Sequence, residues 1–209
     1  MSTRILWYVF HPALDQSRGN RALLKATDGL DNVTIVDAYA EYGDFAIDVE
    51  REQERLRGAD LVVSQFPFYW YSSPPLFKKW QDDVLTYGFA YPPKEGTALH
   101  GKHWLSVITT GGPDWSYCSG GYNNYSMSEL LRPFQQTANL CGMRWHTPYI
   151  VHSVLPESYE GMAVTDDSAL ADHVTALREQ LRAFDPARRR SLEPVAPPHY
   201  LAASAGAAL

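Results

Sequence analysis

The segment Arg4-Ile5-Leu6-Trp7-Tyr8-Val9-Phe10, followed by His11-Pro12-Ala13-Leu14-Asp15-Gln16-Ser17-Arg18-Gly19-Asn20, decides the fold. After Arg4 come six apolar or aromatic residues, the pattern of a strand buried on both faces. Ser17 then opens a helix over residues 17–28, with Leu23 and Leu24 on its apolar face and Gly29 as its stop signal. Working outward, the same alternation recurs. Strands are expected over 33–39, 61–66, 103–109 and 145–154. Helices are expected over 49–57, from Pro74-Pro75 through Trp80 to Leu85, over 126–140 and over 167–184. Strand and helix alternating throughout specify an α/β protein with a parallel sheet covered on both faces.

Composition bounds the function. The chain has 209 residues, 45% hydrophobic and 20% charged, enough for one globular domain without a stabilising metal or disulfide. A net charge of −6, with no basic run longer than Arg188-Arg189-Arg190, argues against a nucleic-acid partner. Cys118 and Cys141 form no CxxC pair and suit a reducing compartment. No apolar run approaches the ~18 residues of a membrane span and no signal-peptide pattern opens the chain, so a cytoplasmic protein is expected. Aromatic content is high at 13%, which fits a large core, a planar-ligand pocket or a subunit interface. Beyond residue 184 the composition turns to Pro, Arg, Ala and Ser. The expected organisation is a domain over 1–184 and a tail over 185–209, either mobile or an arm against a partner subunit.

Parallel sheets bind ligands at the carboxyl ends of their strands, so the residues after each strand matter most. After the first strand, His11 and Ser17-Arg18-Gly19-Asn20 sit at a helix N-terminus, where unpaired N–H groups receive phosphate; a plain N-cap at Ser17 with a solvated Asn20 is the alternative. After the third comes Pro67-Phe68-Tyr69-Trp70-Tyr71, a stiff aromatic loop suited to a flat heterocycle, or to a hydrophobic contact with a neighbouring helix or subunit. After the fourth comes Thr109-Thr110-Gly111-Gly112, whose glycines let backbone approach a ligand, or simply make a turn. There is no GxGxxG, Walker lysine or HExxH motif. His103, His146 and His152 lack metal-ligand spacing, and Asp82-Asp83 reads as a helix surface.

Together these segments resemble the flavodoxin-like NAD(P)H:quinone oxidoreductases of the DT-diaphorase type, closest to the ancillary quinone reductases of glutathione-regulated potassium-efflux systems. The matching text comprises His11-Pro12, Ser17 to Asn20, Trp70-Tyr71-Ser72 with Pro74-Pro75-Leu76, Gly96 to Lys102, Thr109 to Gly112 and Cys141-Gly142. The resemblance implies a three-layer sandwich around a five-stranded parallel sheet of order 2-1-3-4-5. It implies a non-covalent flavin, its phosphate near His11 and residues 17–20, its ring against Pro67 to Tyr71, and its polar edge facing residues 109–112. FMN is expected over FAD, since no segment is dedicated to adenosine. NAD(P)H is the implied hydride donor and a quinone the acceptor, in ping-pong turnover through flavin N5. A homodimer with the site at its interface, and a potassium-efflux membrane protein as a partner, are further implications. In the DT-diaphorase branch a Tyr beside the flavin is followed six residues on by a His; Tyr117 matches the first, but Asn123 stands at the second. Two other roles remain open at this stage: a mainly regulatory subunit, and an electron-carrier flavodoxin.

Overall fold

A computed structural model describes residues 3–91, 97–155 and 164–187. Gly96 and the tail from residue 188 onward, on which part of the sequence reading rests, lie outside the described residues. Among the described residues, six parallel strands form one sheet: β1 (Ile5–Val9), β2 (Val33–Asp37), β3 (Leu61–Pro67), β4 (His103–Thr109), β5 (Arg144–Trp145) and β6 (Tyr149–Val151). Their order is β2-β1-β3-β4-β5, with β6 also on β4. The register aligns Ile5 with both Val33 and Leu61, Leu61 with His103, and Val107 with Tyr149.

The period of two within each strand divides the core. Ile5, Trp7, Val9, Val63, Leu105 and Val107 face α1 (Arg18–Leu24) and α7 (Asp167–Arg182), where Leu23, Leu170 and Leu177 complete the layer. Leu6, Tyr8, Phe10, Val62, Phe66 and Ile108 face the opposite layer. That layer comprises α2 (Ala38–Tyr42), α3 (Val49–Gly58), α4 (Pro75–Val84), α5 (Met127–Leu130) and α6 (Arg132–Leu140). Phe77 is its aromatic hub, stacked on Phe10 at 4.3 Å and on Phe134 at 5.7 Å between ring centroids.

Among the boundaries that differ from the sequence expectation, three have a clear local reason. The strand expected over 145–154 is two short strands, because Pro148 has no N–H to give the ladder and the chain leaves β4 between Trp145 and Tyr149. The sheet therefore has six strands rather than five, in the expected order. The helix expected over 126–140 is divided at Leu131, since Pro133 cannot continue a preceding turn; Pro133 starts α6 instead. Finally, β2 stops at Asp37 rather than residue 39, because the Asp37 carboxylate accepts from the Ala40 N–H at 3.1 Å and caps α2.

Candidate functional site

Three connections leave the carboxyl ends of β1, β3 and β4 on the same edge of the sheet, and a buried polar chain fixes them to one another. Trp7 Nε1 donates to Gln65 Oε1 at 2.8 Å, and Gln65 Nε2 donates to the Asn20 carbonyl at 2.7 Å. Asn20 Nδ2 donates to Ser17 Oγ at 3.1 Å and to Thr109 Oγ1 at 3.0 Å. Asn20 is thus buried and engaged at both ends of its amide, neither solvated nor free to reach a ligand with its Nδ2. Ser17 Oγ accepts from the Asn20 backbone N–H and from Nδ2, so its own proton remains to be donated. Gly19 is required here: a Cβ would fall 2.3 Å from Val154 Cγ1.

The three segments wall a cleft of about 610 Å³. From the first come His11, Ser17, Arg18, Gly19 and Asn20; from the second Pro67, Phe68 and Tyr69; from the third Thr109, Thr110 and Gly111. The remaining expected residues, Trp70, Tyr71, Gly112 and Tyr117, line an adjoining cleft of about 370 Å³ that shares Phe68 and Gly111 with the first. Both volumes fall in the range of small-molecule sites.

The first cleft is polar at the α1 end. The N–H groups of Arg18 and Gly19 have no intrahelical carbonyl to meet. His11 Nδ1 accepts from the Ala13 N–H at 3.1 Å, which places the ring proton on Nε2, and burial lowers its pKa below the ordinary histidine value. Arg18 is not a free cation for a ligand: its guanidinium meets the Thr165 carbonyl at 2.6 Å and the Asp167 carboxylate at 3.1 Å. It clamps the start of α1 to the start of α7.

The second cleft is aromatic. Trp70 and Tyr71 adopt left-handed backbone, φ 49° and 61°, at the tip of a turn closed by Ser72 N–H to the Tyr69 carbonyl at 3.0 Å. Two non-glycine residues held this way store on the order of 1–3 kcal/mol each, strain that concentrates at functional loops. Trp70 is 93% exposed and Tyr122 83%. Tyr117 is half-buried beside Gly112, where a Cβ would fall 3.1 Å from its hydroxyl; burial raises its pKa.

A fourth segment, absent from the sequence reading, completes the walls. After β6, Val154 and Leu155 line the first cleft, with Val154 N–H bonded to the Thr110 carbonyl at 2.8 Å. His152 approaches Thr110 Oγ1 at 2.9 Å and the Tyr117 ring at 5.4 Å between centroids. The question asked of three strand ends, applied to the last strand as well, finds all three residues. Elsewhere, Asp82 and Asp83 pair with Lys78 and Lys79 on the α4 surface, as expected. Among the described residues no cluster of three or more His, Cys, Asp or Glu is placed to hold a metal. No described helix is long and apolar enough to cross a membrane.

A parallel sheet of this order with its cleft at the switch between β1 and β3 defines a flavodoxin-like α/β protein. The family model for the flavodoxin-like fold matches residues 3–181, and the chain belongs to that family. Within it, the chain stands among the quinone reductases, close to the potassium-efflux ancillary proteins. General stress protein 14 of Bacillus subtilis is 50% identical over 72% of this chain and 86% of its own. The glutathione-regulated potassium-efflux system ancillary protein KefG of Enterobacter is 44% identical over 86% and 93%. Among solved structures, one described as a thermophilic tryptophan halogenase from Streptomycin violaceusniger aligns with TM-score 0.77 and 44% identity over 86% of this chain and 99% of that one. General stress protein 14 of Treponema denticola, in complex with FMN, aligns with TM-score 0.74 and 33% identity over 86% and 96%. An NADPH-quinone reductase from P. pentosaceus gives 0.74 and 30% over 88% and 100%. One fold carries these different names, so function is argued from the site.

Proposed function

We propose that the chain is an NAD(P)H:quinone oxidoreductase that works with FMN. The observation that carries this reading is the convergence of the β1, β3 and β4 ends on two joined clefts, one polar at a helix start and one aromatic. The donor set fits the cofactor. The Ser17 hydroxyl, the Arg18 and Gly19 N–H groups and His11 Nε2–H would hold its phosphate, with Asn20 fixing the helix turn that presents them. Pro67 to Tyr71 and Thr109 to Gly112 would hold the ring, where glycines at 111 and 112 keep side chains out of the way. The FMN-bound neighbour and the neighbour named as a quinone reductase support the assignment.

Bound FMN would supply two-electron hydride chemistry, with NAD(P)H and the acceptor using the aromatic cleft in turn, a ping-pong scheme. The chain's own part is placement and charge. Phe68 and Tyr71 bound the space for a planar substrate, the Gly111 and Gly112 backbone addresses developing negative charge, and the Tyr117 hydroxyl offers a proton at the cleft wall. The exposed Trp70, Trp115 and Tyr122 beside the cleft are the surface a second copy would cover, making a homodimer.

A second reading has its own support. The relatives named KefG are ancillary proteins of a potassium-efflux system by that name, so this chain would act as a partner of an efflux membrane protein. Both readings share the flavin site. The visible spectrum of the purified protein tests it: bands of oxidised flavin that bleach with NADPH under anaerobic conditions and return with benzoquinone are expected. A protein that stays colourless after incubation with FMN and with FAD overturns the enzyme reading. Co-purification with an efflux protein, lost on removing the flavin, is the result expected of the second.

A further inference from the structure

A closed circuit of contacts runs round the aromatic cleft. Phe68 packs edge-to-face against Tyr71 at 6.4 Å and against Tyr117 at 6.3 Å between ring centroids, closing one side. On the other side the Tyr71 hydroxyl meets Asn123 Oδ1 at 3.1 Å, across 52 positions of sequence. Asn123 Nδ2 in turn donates to Ser116 Oγ at 2.8 Å, and Ser116 adjoins Tyr117 in the chain. These bonds fix which way the Asn123 amide points. Ser116 Oγ gives its one proton to the Pro113 carbonyl at 2.7 Å, so toward Asn123 it can only accept, and the amide nitrogen must face it. The amide oxygen therefore faces Tyr71, whose O–H donates.

The links of this circuit differ in strength. Ser116 is buried, and the Asn123 N–H also bonds the Ser116 carbonyl at 2.9 Å, so the loop over 114–125 is stapled to itself. Phe68 is anchored by its own N–H to the Thr109 carbonyl at 2.8 Å. The Tyr71–Asn123 bond, by contrast, is a single solvent-accessible contact between neutral side chains, in which water can replace either partner. Tyr71 is moreover held at φ 61°, a strained conformation for a bulky residue, so parting the contact lets the loop tip relax.

We propose that the Tyr71–Asn123 bridge is a size gate on the acceptor cleft, with Asn123 the positioning residue that sets acceptor specificity by holding Tyr71. This rests on the quinone-reductase reading and names its acceptor class: planar carbonyl compounds of a single ring, which enter within the intact rim. The edge of the flavin ring and the acceptor share about 370 Å³. An acceptor of three fused rings enters only after the bridge has parted. Parting it weakens binding of the larger molecule and not of the smaller, and that difference is the specificity.

Rapid mixing of the NADPH-reduced holoenzyme with benzoquinone and, separately, with the three-ring phenanthrenequinone reads this out. Each variant is compared with wild type on the same acceptor, which cancels the difference in intrinsic reactivity between the two. Tyr71→Phe and Asn123→Ala each lower the half-saturating concentration of phenanthrenequinone, relative to that of benzoquinone, about 5-fold, the equivalent of one ordinary hydrogen bond. The limiting rates keep their wild-type ratio. The double variant goes no further than Asn123→Ala alone, because both residues act through one bond. A second arm needs neither flavin nor turnover: in the flavin-free protein, amide hydrogen exchange at Asn123 and Tyr125 quickens in Tyr71→Phe, since the bridge also steadies their loop. An unmoved preference in Tyr71→Phe, or additive effects in the double variant, overturns the gate and leaves the reductase reading standing. Unchanged exchange in Tyr71→Phe overturns the bridge whatever the flavin content. A protein that binds no flavin overturns the reductase reading, and the gate with it.

Discussion

Asn20 Nδ2 donates to Thr109 Oγ1 across 3.0 Å, joining the first turn of α1 to the carboxyl end of β4 over 89 positions of sequence. With Gln65 on the other side of the same amide, one buried residue holds three strand ends in register at the cleft.

Replacing Asn20 by Ala removes that junction and leaves Gln65 and Thr109 buried without their partner. The expected loss is about 1–3 kcal/mol of unfolding free energy, the cost of orphaned buried polar groups. Because the Ser17 turn is fixed by the same amide, FMN affinity falls as well. Urea unfolding and fluorescence titration with FMN check the two effects. A variant as stable as wild type with unchanged FMN binding removes the junction from the account of the site.

Tyr117→Phe deletes only the hydroxyl. The ring stays against Phe68 and His152, so fold and flavin content are retained. Reoxidation by benzoquinone slows about 10-fold or more while reduction by NADPH changes little, since the hydroxyl serves the acceptor's proton. Equal rates in both half-reactions, mutant against wild type, contradict this role for Tyr117.

How much of this site could be read from the chain alone depends on where each signal lies. Strands β1, β3 and β4 are buried on both faces, so their segments are mostly apolar, broken only by buried polar residues such as Ser64, Gln65 and Ser106, and the three motifs that follow them are contiguous text. Pro148 and Pro133 carried a visible signal for the split strand and the split helix, but the apolar pattern around each outweighed it. The roles of Asn20, Arg18 and His152 were not legible, because each is decided by partners 42 to 149 positions away. Arg18 was expected beside a phosphate at the helix start, and its guanidinium is instead a clamp to α7. His152, by contrast, reaches Thr110 and the Tyr117 ring only through the fold, a proximity that no spacing rule would find.

At the opposite end of β4, His103 Nδ1 and His146 Nε2 lie 2.6 Å apart with their rings stacked, and Phe184 closes on both. Burial and the neighbouring histidine push His146 down to about 4. The sign follows from linkage: above pH 6.5 neither state binds the proton and nothing is lost, whereas between 6.5 and about 4 the unfolded chain binds it and the folded one resists. Stability therefore declines with falling pH across that window, by on the order of 2 kcal/mol. Urea midpoints at pH 7 and pH 5 measure it. His146→Asn, which cannot titrate, shows less than half of the wild-type decline; an equal decline assigns the effect to other groups.

Trp70 tests the proposed second copy. Its side chain is 93% exposed in the single chain, and its φ of 49° is a conformation that Asn adopts more readily than Trp. Trp70→Asn therefore leaves the fold intact and relieves backbone strain, so the thermal midpoint of the dilute protein holds or rises. What it removes is a large apolar contact beside Trp115 and Tyr122, and aromatic anchors of this kind carry much of an interface's energy. Self-association measured by sedimentation velocity weakens at least about 10-fold, roughly 1.4 kcal/mol or more at the interface. A wild-type chain that sediments as a monomer at every concentration while holding flavin assigns these aromatics to the substrate instead. In that case Trp70→Asn raises the KM for quinone and leaves the sedimentation coefficient unmoved.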